Sequence, residues 1–403
     1  MELALITLSI GSLIFFAYLF TSLFEKYQIP DVLFLLSIGL ILGPITHLVD
    51  IEQFGILGDV FATLTLLIIL FDAGLNIKIK GILGSASRAS ALMFSTLLIS
   101  TAIVTPIGYF FFGLAILESI FVALIVGGIS AGIVIPIANK LPVQEETKRI
   151  LALESNINDI VTVSIILAFV NIFNGGIFDF KSFSIDFGVG FITALVVGIL
   201  MAVIWSQLIK SFRGIENNIF MTPALVLIVF GASELLGISG VIAAFAFGIT
   251  LGNLQFTKFE RLPRFLEFEE FTLTNWEKNM FKGFVFILKT YFFVYIGLSI
   301  PLNNLLLILG GAGVMVLLFG ARIISVKMFI NSDTPKYDKD VLIRLLPKGL
   351  VGAALVTLVD NQMIQDLTYS IIMFSIVFTS ILIFLIPEKE IEESKEELET
   401  QTI

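Results

Sequence analysis

The 403-residue chain has no cysteine and a single histidine. Without cysteine there can be no disulfide, no thiolate nucleophile and no Cys-based metal site. The one histidine, His47, sits in a short polar connection and reads as a solvated loop residue rather than a proton switch. Charge is also scarce: 14% of the residues are Asp, Glu, Lys or Arg, where soluble domains average about 25%. That shortage excludes an ordinary soluble domain. What fills the chain instead is hydrophobic residues, 57% of the total, in runs close to the roughly 20 residues that span hydrocarbon. The expected class is an all-α polytopic membrane protein. No short leader pattern precedes the first run, which reads as a retained spanning helix. The formal net charge of −9 owes much to the tail from Glu388, "EKEIEESKEELET", and such a run reads as a solvated end.

Hydropathy punctuated by Gly, Pro and charge predicts thirteen spans, at about 3–25, 30–43, 55–75, 89–113, 117–140, 147–174, 186–210, 217–236, 238–254, 277–299, 302–328, 340–360 and 367–387. The second is short for a bilayer and needs its neighbours or a tilt. Basic residues follow the odd-numbered spans: Lys26; Lys78, Lys80 and Arg88; Lys140, Lys148 and Arg149; Lys210 and Arg213; Lys258, Arg261, Arg264 and Lys278; Lys336 and Lys339; Lys389 and Lys395. The other side carries Asp50, Glu52, Glu118, Asp186 and Glu234, with Lys181 its one clear base. By the positive-inside rule the N-terminus is expected outside and the C-terminus in the cytoplasm of a cell-membrane protein.

Three pairs of segments repeat in the same order at offsets of roughly 209 to 223 residues. Gly39-Leu-Ile-Leu-Gly43 pairs with Gly248-Ile-Thr-Leu-Gly252, "LFDAGLNI" (70–77) with "FVYIGLSI" (293–300), and "ISAGIVIPIANKL" (129–141) with "LPKGLVGAALVTL" (346–358). An odd number of spans separates the partners, so the two six-helix repeats, about 1–174 and 217–387, are expected to be inverted and joined by a linker helix at about 186–210. Residues 1–387 then form the membrane domain and 388–403 an acidic cytoplasmic tail. In secondary transporters such repeats place a binding site at the midplane on discontinuous helices. The fifth and twelfth spans fit that role, because Gly127, Gly128, Gly132 and Pro136 in one, and Pro347, Gly349 and Gly352 in the other, cluster mid-span.

Ionisable residues inside a span are costly and are functional candidates by default. Glu154 and Asp159 lie in span six, Lys289 in span ten, Arg344 and Lys348 at the start of span twelve. Asp72 ends span three and reads equally as a site residue or an interfacial cap. Arg322, towards the end of span eleven, reads as a side chain snorkelling to the interface. Ser155, Asp159 and Thr162 share one helical face. Glu154 and Asp159, five residues apart, diverge by roughly 140°, which is poor geometry for a catalytic carboxylate pair. A single carboxylate with a hydroxyl a turn away suits a small hard cation. Ser130 and unwound backbone carbonyls are candidates to complete its shell. Glu154 reads instead as the structural partner of a buried base, Lys348 or Lys289. Burial disfavours ionisation of a carboxylate, so proton and cation compete for Asp159, and alternating access turns that competition into antiport. No Ser-His dyad or metal cluster suits an enzyme, and no cofactor beyond the transported ions is expected.

These residues resemble a known family. "ESNIND", with Glu154, Asn158 and Asp159, is similar to the Glu-x-x-x-Asn-Asp signature of the monovalent cation:proton antiporter superfamily, on its NhaP-like Na⁺/H⁺-exchanger branch. "LFDAGLNI", "SIGLILGP" (37–44) and "FFVYIGL" (292–298) resemble further membrane motifs of that branch, and the likeness covers the whole membrane region. The resemblance implies an NhaA-like antiporter fold of thirteen helices, a homodimer, and pH homeostasis as the role. It implies ion binding at Asp159 with Ser155 and Asp72 as neighbours, and a Glu154 ion pair with a base of the twelfth span, for which Lys348 stands nearest. Asn-Asp, rather than Asp-Asp, goes with electroneutral exchange in similar proteins, so Na⁺(Li⁺)/H⁺ antiport leads, with K⁺/H⁺ antiport and a Na⁺-coupled organic-anion symporter as alternatives. Two departures stand out. The branch's Thr-Asp-Pro in the fifth span is here Ile129-Ser130-Ala131, and the Arg of its "GLRG" is Val351. Lys289 is similar to the lysine used by the electrogenic branch.

Overall fold

A computed structural model describes residues 31–49, 55–76, 79–175, 180–212, 220–254, 275–300 and 302–387, with isolated positions at 11–12, 15–16, 18–19 and 392. The expected first span lies largely outside the described residues, as do the acidic tail and Lys26, Lys78, Lys258, Arg261 and Arg264. Every regular element among the described residues is a helix. In chain order they are α1 (Asp31–Leu40, continued by a π turn at Ile41–Ile45), α2 (Gly55–Asn76), α3 (Ile79–Phe111), α4 (Ile116–Gly127), α5 (Ala131–Lys140), α6 (Glu145–Gly175), α7 (Phe180–Phe212), α8 (Met221–Leu235), α9 (Gly240–Asn253), α10 (Asn275–Leu298), α11 (Leu305–Phe329), α12 (Lys336–Arg344), α13 (Leu350–Val356) and α14 (Gln362–Phe384). The fifth predicted span is thus two helices, α4 and α5, and the twelfth is also two, α12 and α13. Five stretches among the described residues are long and apolar enough to cross a membrane, including Ile116–Lys140 taken across its break.

Side-chain caps fix several helix starts. Asn361 accepts from the N–H groups of Met363 and Ile364 at the head of α14, and Asn304 does the same for Leu307 in α11. Glu118 reaches back to the N–H of Ala115 in α4. Each satisfies an amide that the first helical turn leaves without a partner. His47 follows the π turn in left-handed backbone, φ 52°, on an exposed turn.

The chain divides into two compact units. The second comprises residues 59–84 and 167–289 and is organised on α9, a helix apolar all round and buried from Gly240 to Gly248. Glycines let neighbours approach it backbone to backbone. A methyl group on Gly248 would run into the carbonyl oxygen of Phe71, one on Gly252 into that of Leu75, and one on Gly74 into the backbone of Phe245 and Ile249. Gly198 of α7 likewise faces Ala243. The Phe71 and Phe247 rings stack at 5.2 Å.

The first unit comprises residues 1–58, 85–166 and 290–403. Within it α14 packs against α1, α4, α11, α12 and α13. Here α1 meets the end of α10 through glycine again: a methyl on Gly39 would collide with the Val294 carbonyl and the Gly297 and Leu298 backbone. So the second span packs on the tenth in one unit, and the ninth packs on the third in the other.

Gly248→Val is expected to destabilise the protein by about 1–3 kcal/mol, the usual scale for overpacking, lowering the unfolding temperature in detergent. Gly231→Val, where no atom lies within 4 Å, serves as the control. Equal unfolding temperatures for the two variants would refute the backbone contact.

Candidate cation site at the crossed breaks

Two helices stop and restart inside the first unit, and their sequences explain where. After α4, Gly128 is extended at φ −94°, ψ −173°, and a Cβ there would overlap the Asn158 amide; only glycine fits. After α12, Pro347 lacks an amide hydrogen and disfavours helical geometry in the residue before it. Gly349 then restarts the chain as α13, with the Ser130 side chain packed where its Cβ would stand, 3.0 Å away.

Backbone freed from a helix inside hydrocarbon must be satisfied by the protein itself. The two breaks do much of this for each other. Ser130 donates its N–H to the Pro347 carbonyl at 3.0 Å, and Lys348 donates from Nζ to the Gly128 carbonyl at 2.8 Å. Asn158 donates from Nδ2 to the Ile129 carbonyl at 3.3 Å and accepts from Thr162 Oγ1 at 3.4 Å. The Lys348 N–H donates to Ser375 Oγ at 2.8 Å. The broken segments are thereby stitched together at Gly128–Ser130 and Pro347–Gly349.

Asp159 sits beside this crossing. It is buried, 6% exposed, and is met by the backbone of Ala131, the first residue of α5. A helix N-terminus presents unpaired amides and partial positive charge, which favour a carboxylate there. Asn158 brackets the unwound segment one residue earlier on α6. Ser155, fully buried, donates its hydroxyl back to Leu151 O at 2.8 Å; its oxygen lone pairs remain as acceptors. Among the described residues no three carboxylates or histidines converge on a point.

Glu154 has a different partner from the one expected. Its carboxylate forms a two-pronged pair with Arg322: Nη1 bonds Oε1, and Nη2 bonds Oε2 at 2.9 Å. Arg322 does not snorkel; it is fully buried. Its Nε donates to the Leu342 carbonyl in the last turn of α12 at 2.9 Å, and Nη1 also reaches Thr96 Oγ1 at 3.5 Å. One guanidinium thus joins α3, α6, α11 and the carbonyl end of α12, in the forked geometry that Arg and not Lys provides. Two expectations are corrected: the base paired with Glu154 is Arg322, where Lys348 or Lys289 was expected, and Lys348 serves the broken backbone instead. A carbonyl left open by the α12 break was the missing signal, since it supplies a buried arginine with a second acceptor. Asp72, on α2, and Lys289, on α10, belong to the second unit; both are partly buried.

The sequence pattern of the family described as "Sodium/hydrogen exchanger, transmembrane" matches residues 11–386. The chain belongs to this family. Among similar proteins is a Na⁺/H⁺ antiporter 1 from Methanocaldococcus jannaschii, 24% identical over 91% of this chain and 86% of that one. A K⁺/H⁺ antiporter NhaP2 from Shewanella baltica is 28% identical over 243 residues, 57% of this chain but only 40% of that protein. The chain therefore aligns with less than half the length of the NhaP2 proteins it matches. The sodium proton antiporter MjNhaP1 from M. jannaschii, whose structure was solved at pH 8, shares the fold with a TM-score of 0.70 at 21% identity, over 95% of this chain and 96% of that one. In sequence and fold the chain is NhaP-like.

Glu154→Gln or Arg322→Met alone strands one buried charge and is expected to cost about 3–5 kcal/mol. The double variant removes both charges and should unfold at a higher temperature than either single variant in detergent. A double variant no better than the singles would show that the pair's other bonds dominate.

Proposed function

We propose that the protein is a secondary-active antiporter that exchanges one monovalent cation for one proton, electroneutrally, by their competition for Asp159. The observation that carries this reading is a buried carboxylate with no opposite charge in ion-pair contact among the described residues. It stands where two interrupted helices cross. Such a group is unfavourable when empty and ionised, and either a proton or a small cation relieves it. Because one carboxylate serves both, the two loads exclude each other. Ser155, Asn158 and Ser130 are the neighbouring oxygen donors in this reading.

Na⁺, with Li⁺, is the leading cation, following the similar archaeal Na⁺/H⁺ antiporter. K⁺ is the second reading, favoured by the similar K⁺/H⁺ antiporters and by the absence of a carboxylate at Ile129-Ser130-Ala131. The working form in this reading is a homodimer in the cell membrane, its N-terminus outside and its C-terminus in the cytoplasm. The supports are the family and the placing of basic residues after odd-numbered spans. Two inverted repeats, with α7 between them, complete the proposal.

The test is internal pH in proteoliposomes on addition of Na⁺, Li⁺ or K⁺, with the membrane potential clamped or free. Cation-driven alkalinisation indifferent to the clamp is expected, and the order of the ions identifies the substrate. Asp159→Asn should abolish the signal while eluting as a folded species on size exclusion. Proton movement that survives in that variant would remove Asp159 from the site.

A further inference from the structure

The heads of α4 and α14 are tied to each other well away from the breaks. Glu118, in the first turn of α4, takes two bonds at once. Its Oε2 accepts from the Ala115 N–H at 2.8 Å, and its Oε1 accepts from Asn361 Nδ2 at 2.9 Å. Asn361 is the residue before α14, and its Oδ1 caps the N–H groups of Met363 and Ile364. One carboxylate and one amide therefore fix the two helix heads side by side. The same helices are tied a second time at the breaks. Ser375 of α14 accepts from the Lys348 N–H at 2.8 Å and donates its own hydroxyl to the Ile372 carbonyl at 2.7 Å. The Lys348 side chain goes on to the Gly128 carbonyl, just past the end of α4. These links close a ring that runs from Glu118 along α4 to Gly128, across Lys348 to Ser375, and back along α14 to Asn361. All of it lies in the first unit.

We infer that Glu118 and Asn361 are positioning residues for the cation site: by fixing α14 against α4 they hold the unwound segment after Gly128 where its oxygens join Asp159 on a cation. This rests on the reading of Asp159 as the binding carboxylate. Neither residue touches the ion; both act through Ser375, Lys348 and the Gly128 carbonyl. Helical rise makes the lever definite. Glu118 to Gly128 climbs about 15 Å and Asn361 to Ser375 about 21 Å, so the bond between the heads sets the height at which Ser375 meets the break. A slip of one residue's rise, about 1.5 Å, would carry the Lys348 N–H bond to Ser375 beyond hydrogen-bonding distance. A displaced Gly128 passes its shift directly to Ile129 and Ser130, which Asn158 and Pro347 hold in turn, and to the Ala131 backbone that meets Asp159.

The experiment measures half-saturating Na⁺ and, in parallel, K⁺ concentrations in the proteoliposome assay for wild type, Glu118→Gln, Asn361→Asp and the double variant. Glu118→Gln loses one of the two acceptors. Asn361→Asp keeps the cap on α14, since Asp caps as well as Asn, but sets one carboxylate against another. The double variant restores each bond with donor and acceptor exchanged. Both single variants are expected to half-saturate at roughly fivefold higher cation concentration, the scale of one hydrogen bond. The double variant should return to within about twofold of wild type. The single changes alter net charge in opposite senses, so half-saturation moving in opposite directions would mark a local charge effect and overturn the inference. Unfolding temperatures are read on the same samples, and variants that melt earlier with half-saturation unchanged would overturn it too. Ser375→Ala opens the ring at another corner, so adding Asn361→Asp to it should raise half-saturation no further. Effects that multiply would show the two residues acting separately, against the inference. Asp159→Asn in matched vesicles separates the claims. If it still exchanges cations, the binding assignment falls and this inference with it. If it is inactive and the single variants half-saturate like wild type, only this inference falls.

Discussion

A polypeptide that leaves helical geometry inside hydrocarbon has no water to turn to, and the region around Gly128 and Pro347 is organised by that one constraint. Each interruption frees amides and carbonyls that would cost several kcal/mol if left bare. The chain answers by crossing the two interruptions, so that each supplies partners to the other, and by recruiting Lys348, Asn158, Ser375 and Arg322 for the remainder. The polar residues of span six are therefore not spread at random through an apolar helix. Asn158 and Glu154 keep the broken backbone and its neighbours in place, and Asp159, met by the Ala131 backbone, has no ion-pair partner among the described residues.

Much of this was legible in the sequence. A carboxylate in an apolar run, and Gly and Pro clustered mid-span at corresponding places in two halves, pointed to α6 and to the breaks before any coordinates. Local chemistry suffices there, because a helix cannot continue through Pro347 and a Cβ cannot fit at residue 128. The partner of Glu154 was not legible. Arg322 lies 168 positions away, and an arginine near a helix end reads the same whether it snorkels or is buried. What distinguishes the two is the open carbonyl at the end of α12, visible only when the elements are packed. Lys348 was misread for a related reason: a buried lysine suggests an acid, and pattern alone does not show that a backbone oxygen takes that role. Ser155 illustrates a further limit, since its face was legible but its donation back to Leu151 was not.

The glycine motifs taught something different. In the sequence, Gly39, Gly248 and Gly252 are visible only as members of a repeated pair. Their contacts give them a common function: they bring one helix backbone onto another, at Gly297 for Gly39, at Phe71 for Gly248 and at Leu75 for Gly252. Surfaces of this kind carry few protruding side chains. They hold by close approach and dispersion, not by interlocking.

Asp159 is the fifteenth residue of the 31 in α6, so about 21 Å of helix precedes it and about 24 Å follows. Placed across a bilayer, it divides the transmembrane voltage roughly in half. On the proposed reading, an ion entering from either face crosses about half the field before it meets Asp159, worth on the order of 1 kcal/mol per charge at 100 mV. Loading and unloading would then each sense the potential, even in the electroneutral cycle proposed.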